Sequence, residues 1–543
     1  MSMNTQPQPY RTSQSSGNLR KHGKLFSLCA MFIATTLSFP ASAQDATSAS
    51  AWGTTPTLTQ VATSASAQGT TPTLTQEATT ASAQEATTAS AWGAMPSSTV
   101  SLPDSSESVQ SNIGQRFSSV VISLSDHSHP ALHSQPAYQI LPAIYDGSMM
   151  PYDFSACTPA EVPDSLTPFF ISYVGRHGAR FLSSEKKVTK LEEAISKARE
   201  AGNLTPLGEE MATLVDLVKK HTDGRWGALD SVGAYEQQRL AVQMADMWPS
   251  VTQEGTINAT ATYVPRVVMS MYEFTHSLCS LQPKLDIYTA EGHKFDPLLR
   301  YFTTDPAYVS YLKEKPWQKE YDSFIDGNVS PQPAINLFGS TFDEKENRKL
   351  TLDIYSVIQS LRAAGLPAPD SRWMSPEEYK NCWKAANLEH YFARTDNPLS
   401  SIPVEGATPL LSRLIDDLSS AASYANSQAP VSEKTYDSAI LYFGHAETLM
   451  PLLSLCDVAG CNAPLAKPGN VDEYWKDYEV VPLGANFEIT LLKAPSGNIY
   501  ALTRLNGHDV KIGDLPSSIV PWQSLKDFWA SRVQKFTTHT PAQ

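Results

Sequence analysis

Residues 171–184 read ISYVGRHGARFLSS. An apolar run rich in β-branched and aromatic side chains, extended upstream by PFF, predicts a buried strand, and two arginines and a histidine follow it directly. Residues 439–447 repeat the arrangement as AILYFG and then HAE. Helical periodicity fills the stretches KKVTKLEEAISKAREAG, TPLGEEMATLVDLVKKH and GAYEQQRLAVQMADMW, and ATYVPRVVMS reads as a further strand running into a helix. This alternation predicts an α/β layer, a largely parallel sheet flanked by helices. Open parallel sheets bind ligands beyond the carboxyl ends of their strands. The two Gly-His ends, around His177 and His445, therefore form one candidate site.

The rest of the chain frames that core. Residues 1–43 carry Arg20, Lys21 and Lys24, then a short apolar run, then ASA, the pattern of a cleaved export signal. Residues 44–135 are rich in Thr, Ser, Ala and Gln and repeat GTTPTLTQ at 53 and 69, which predicts a disordered stalk without a core. His127, His129 and His133 lie in that stalk without the carboxylate or cysteine frame of a metal site. The sheet domain is expected over 136–281 and 401–543. Helical, proline-punctuated segments over 282–400 predict an inserted α-helical domain. No segment is long and apolar enough to span a bilayer, so the chain reads as exported, to the periplasm or beyond the cell.

Removal of residues 1–43 takes four basic and no acidic residues from a chain of net charge −14, leaving −18. Such a field disfavours nucleic acid. An anionic small molecule must be held by a local cluster of cations. Five cysteines remain, and the spacing of Cys456 and Cys461 allows either a small disulfide loop or two unlinked thiols.

Two arginines bracketing a histidine suit a phosphoryl group. Arg176 and Arg180 can donate planar, paired hydrogen bonds to its oxygens. His177 can attack phosphorus in line, held neutral by the surrounding positive charge. Gly175 and Gly178 let the backbone bend and the ligand approach. At the second strand end, Glu447 can protonate a leaving alkoxide, and His445 can donate to the phosphoryl oxygens. A zinc deaminase pattern built on His445, Glu447, Cys456 and Cys461 fails on spacing, since the cysteines are too far apart and lack the preceding proline. A phosphate-binding surface protein without turnover is the other alternative, opposed by the complete set of His177, His445 and Glu447.

RHGAR after one strand and a distant HAE after another resemble the histidine acid phosphatase branch of the histidine phosphatase superfamily. Within it the His-Ala-Glu triplet is similar to that of the multiple inositol polyphosphate phosphatases. NLTPLGEEM, LDSVGAYEQQRLA, YVPRVVMSMYEFTHSL and PLGANFEITLL follow the family's order, so the resemblance spans about residues 136–535. It implies that fold, hydrolysis of inositol hexakisphosphate and its lower esters, no cofactor and no metal. It also implies His177 as nucleophile, Arg176, Arg180, Arg266 and His445 on phosphate, and Glu447 as proton donor. Arg266 rests on the resemblance alone. Lys186, Lys187 and Lys190, just past the first motif, are available for further substrate charges, the alternative being a solvated helix face. One departure stands out: family members often continue RHGxRxP, whereas Phe181 and Leu182 follow here.

Overall fold

A computed structural model of the protein describes residues 138–427 and 437–537. The expected signal segment and the stalk with its three histidines lie outside the described residues. Among those described, an eight-stranded sheet runs in the order β3-β2-β4-β1-β5-β6-β7, with β8 beside β6. The strands are β1 (Thr167–Arg176), β2 (Glu254–Ala261), β3 (Lys284–Glu291), β4 (Ala439–Gly444), β5 (Asn486–Lys493), β6 (Ile499–Leu505), β7 (His508–Asp509) and β8 (Ile519–Pro521). The pairs β3·β2, β2·β4 and β4·β1 are parallel, and the pairs from β1·β5 onward are antiparallel. The antiparallel β5·β6 pair has a simple cause. The short turn between β5 and β6 is closed by the Ala494 N–H donating to the Asn498 carbonyl, with Gly497 at φ +87°, and leaves no chain for a parallel crossover. From Phe170 to Arg176, β1 is buried on both faces, which explains its unbroken apolar run.

Register positions the site. Arg176 pairs with Gly444 across β1 and β4, and Ala261 pairs with Phe443 across β2 and β4. Three strands thus end at one level, and His177, His445 and Thr262 leave the sheet side by side. Helix α2 (Ser231–Met247) packs on helix α3 (Pro265–Leu281) against the sheet, while α1 (Lys186–Glu200) belongs elsewhere. Its apolar face shares one core cluster with segments between Val329 and Ala385.

The insert expected over 282–400 is corrected at its start, because Lys284–Glu291 is an edge strand of the sheet, most of its residues exposed. Helices follow after that strand, among them α4 (Pro376–Arg394), capped by Ser375 and Glu378 in a capping box. The helical layer also recruits α1, because the apolar faces on α1 and on the later helices need each other to be buried. Cys456 and Cys461 are not bonded to each other. Both side chains are fully buried in the largest apolar cluster, where packing rather than a covalent link fixes the turn. No helix of the described residues is long and apolar enough to cross a membrane.

Two glycines allow α2 to press on the first motif. A Cβ on Gly178 would lie 2.3 Å from the Gly233 carbonyl oxygen, and one on Gly233 would lie 2.1 Å from that of Ala179. Backbone meets backbone, so no rotamer change relieves either clash. Gly233→Ala is therefore expected to lower the urea unfolding free energy by about 1–3 kcal/mol or more. Gly327→Ala, in a helix with nothing within 4 Å of the new methyl group, should hold or raise it by about 0.5–1 kcal/mol.

Candidate active site

The first motif emerges from β1 under tight backbone control. The His177 N–H donates to the Gly444 carbonyl at 3.1 Å, the Gly178 N–H to Ser270 Oγ at 3.1 Å, and the Ala179 N–H to Glu236 Oε2 at 2.6 Å. The other Glu236 oxygen accepts from the Tyr152 N–H at 2.9 Å, so one buried carboxylate ties the motif to an earlier segment. Burial pushes that carboxyl up to about 7, against the pull of its two amide donors. Past the motif, Arg180 pairs with Leu229 in an antiparallel bridge, the Phe181 N–H donates to the Ala228 carbonyl, and the Gly227 N–H donates to that of Leu182. The turn that a proline often shapes is set here by strand-like pairing, and the Arg225 guanidinium lies 4.2 Å from the centroid of the buried Phe181 ring.

His177 Nδ1 lies 2.8 Å from the Gly178 carbonyl oxygen. A carbonyl only accepts, so Nδ1 carries the proton and Nε2 keeps a lone pair. Burial above all, then Arg266, Arg176, Arg180 and His445, hold the imidazole well below its usual range. The cationic field expected from the sequence is present, and burial adds more to it.

Around this imidazole stand the guanidinium groups of Arg176, Arg180 and Arg266, with Arg300 beyond them against His445. Arg176 places one nitrogen between the carbonyls of Ser148 and Val481, at 2.6 and 2.5 Å. Ser148 is held in turn by its N–H on Asp477, a buried carboxylate that also accepts from Trp383 and bonds His390. Arg180 follows the motif, Arg266 opens α3, and Arg300 precedes a short helix at Tyr301–Thr304. The Nε atoms of Arg176, Arg180, Arg266 and Arg300 are all buried without a hydrogen-bond partner. Each such donor costs about 1–3 kcal/mol unless an acceptor meets it. Burial lowers Arg176 to about 10 and Arg180 to about 9, and both stay charged at neutral pH. The arrangement is a cradle for an anion with several acceptor oxygens.

His445 caps helix α5 (Ala446–Cys456), its ring edge-on to that of His177 with centroids 5.8 Å apart. The α5 N-terminus adds its own partial positive charge to the cradle. Glu447 lies in the first turn, with 38% of its side chain exposed. Crowding by protein atoms pushes its carboxyl up, but Arg394, at 3.9 Å, then His445 and Arg176, outweigh that and hold it at about 2. In the free protein it is ionised.

All six residues named for catalysis and phosphate binding converge here. The lysines do not. Lys187 and Lys190 turn to Asp353, the first in a direct hydrogen bond and the second at 3.7 Å, and Lys186 is exposed at the start of α1. Asp353 is buried and draws the nearest ammonium groups, a pull invisible in the spacing of the lysines themselves. Arg300, Arg394 and Glu236 are the residues that sequence reasoning missed. Glu236 and Arg394 are charged residues within ordinary helices and Arg300 stands just before a short one, with no motif to signal any of them. Cys456 and Cys461, the thiols of the discarded zinc pattern, sit in the apolar core, where burial pushes both thiols up and disfavours the thiolate that zinc needs.

A family model described as the histidine phosphatase superfamily (branch 2) matches residues 170–511. No curated protein sequence matches the chain. Among solved structures, a Bifidobacterium longum multiple inositol polyphosphate phosphatase in complex with inositol hexasulfate is 14% identical, with a TM-score of 0.59 over 70% of this chain and 96% of its own. A phytase from D. castellii is also 14% identical, with a TM-score of 0.53 over 74% of this chain and 88% of its own. Both share the fold.

The depressed imidazoles carry a consequence for stability. His177 titrates well below 6.5 when folded and His445 at about 3, so between the unfolded value and these the unfolded chain binds more protons. Their contribution is complete above about pH 6.5 and drains away as pH falls toward the folded values. The urea midpoint should therefore drop between about pH 6.5 and 4, and the drop should be shallower in His445→Gln. A slope unchanged by that substitution would show that His445 is not held neutral in the fold.

Proposed function

This chain belongs to branch 2 of the histidine phosphatase superfamily, and from that premise we propose that it hydrolyses inositol polyphosphates, inositol hexakisphosphate included, through a phosphohistidine on His177. One observation carries the reading: the guanidinium groups of Arg176, Arg180 and Arg266, each with a buried Nε donor that has no partner, act on an imidazole whose free nitrogen is a nucleophile. The inositol hexasulfate bound by the Bifidobacterium longum neighbour is a ligand of the same shape and charge class.

The geometry supports the following steps. Phosphate oxygens accept from Arg176, Arg180, Arg266 and His445, which also relieves the repulsion among the cations. Nε2 of His177 attacks phosphorus in line, the ester P–O bond breaks, and the departing alkoxide takes a proton from Glu447. Glu447 must gain that proton first. A phosphate monoester is largely monoanionic below its second pKa of about 6, so the substrate can bring the proton itself. Its remaining charge offsets Arg394 and the other arginines that keep the carboxyl ionised. Water then attacks the phosphohistidine, gives its proton to Glu447, and inorganic phosphate leaves with Nε2 free again. An enzyme with the export signal expected at residues 1–43 would meet such esters outside the cytoplasm.

Acid-labile label from a 32P-phosphate ester should appear on the protein within one turnover and be absent in His177→Ala; label that persists in the variant would place the nucleophile elsewhere. Glu447→Gln separates the acid from the cradle. An inositol alkoxide needs a proton and nitrophenolate hardly does, so kcat/KM should fall by roughly two orders of magnitude or more for phytate and far less for p-nitrophenyl phosphate. Equal losses on both would make Glu447 a phosphate-positioning group.

A further inference from the structure

Both ring nitrogens of His445 face donors. Nε2 lies 3.3 Å from Nη1 of Arg300 and 3.0 Å from the Thr262 hydroxyl, while Nδ1 lies 3.5 Å from Nη2 of Arg266. A guanidinium only donates, and a neutral imidazole offers one lone pair and one N–H. One of the two arginine contacts must therefore set N–H against N–H. Thr262 does not decide which, because a hydroxyl serves either tautomer.

Two observations decide it. The Arg300 contact is the shorter, whereas the Arg266 contact stands at the outer limit of a hydrogen bond. The second is direction. Arg266, after burial, is the strongest influence on the His177 imidazole, and Arg176 and Arg180 follow it. Nδ1 of His445 thus shares Arg266 with the nucleophile, whereas Arg300 is not among the cations that act most strongly on His177. Arg300 approaches the opposite nitrogen from between the Tyr263 and Phe302 rings, 4.9 and 5.3 Å from their centroids.

We propose that Arg300 is a positioning residue that fixes His445 as the Nδ1–H tautomer. Its Nη1 donates to the Nε2 lone pair, and the N–H left on Nδ1 converges with Arg266 on one point. An anionic oxygen there accepts from both and removes the donor conflict. The assignment rests on the phosphatase reading for its purpose, since Nδ1–H is then the donor that His445 offers to the transferring group.

The test uses the full chain labelled with 15N-histidine, with the His445 signals identified by their loss in His445→Gln. Long-range 1H–15N spectra of the wild type should show a protonated Nδ1 and an unprotonated Nε2. Arg300→Gln, whose amide can accept as well as donate, should give a mixed or reversed tautomer and raise the Ki of inorganic phosphate about tenfold, the scale of one charged hydrogen bond. Arg300→Lys, which keeps a donor-only cation, should restore the tautomer and part of the affinity. An unprotonated Nδ1 in the wild type, or a tautomer indifferent to Arg300→Gln, would overturn the assignment. A wild type with the expected tautomer that forms no phosphohistidine would sink the hydrolytic reading and leave the role of Arg300 standing.

Discussion

The parallel pairing that sets Arg176 opposite Gly444 determines where every reactive group in this protein lies. Two histidines from distant parts of the chain become neighbours because two strands end flush. Once they do, the His177 N–H can reach the Gly444 carbonyl, and the motif is anchored to the partner strand before any side chain is considered. A one-residue slip in that register would turn each side chain of β4 to the other face. It would also part the two imidazoles. The sheet is therefore more than a scaffold for the site.

Charge is the second constraint. Four guanidinium groups and two imidazoles gather with Glu447, in surroundings that are largely buried. Such a cluster opposes folding, since each buried donor without an acceptor and each repulsive pair raises the energy of the native state. It persists because other contacts over-determine it. Arg176 is gripped by two carbonyls, and the amides of the motif are taken up by Ser270 and Glu236. Strain of this kind is stored where a ligand will release it.

Support reaches the cradle from outside it. Asp477 holds Ser148, whose carbonyl orients Arg176, and the same carboxylate bonds Trp383 and His390 on α4. Four residues beyond His390 on that helix, Arg394 faces Glu447. Helix α4 thus touches the site twice, once through the acid and once through the first arginine. Movement of the helical layer would be felt at both.

The local patterns in the sequence were sufficient for some conclusions. RHGAR and HAE are contiguous, each follows a buried apolar run, and each run makes a strand, so His177, His445, Arg176, Arg180 and Glu447 were legible from residue type and spacing. Arg266 was legible only by resemblance, because one arginine at the start of a helix carries no signal of its own. Arg300 and Arg394 left no trace in their neighbourhoods. Their roles are set by side chains that lie far away in the chain and are brought close only by the fold. The partner of Lys187 and Lys190 was illegible for the same reason: Asp353, supplied by another helix, claims both. The tautomer of His177 likewise depends on a 2.8 Å approach to one carbonyl, which no composition or spacing encodes. Periodicity and motif depend on near neighbours and can be read along the chain. Hydrogen-bond direction, burial and the sum of charges around one atom depend on distances in space, and only the tertiary structure sets those.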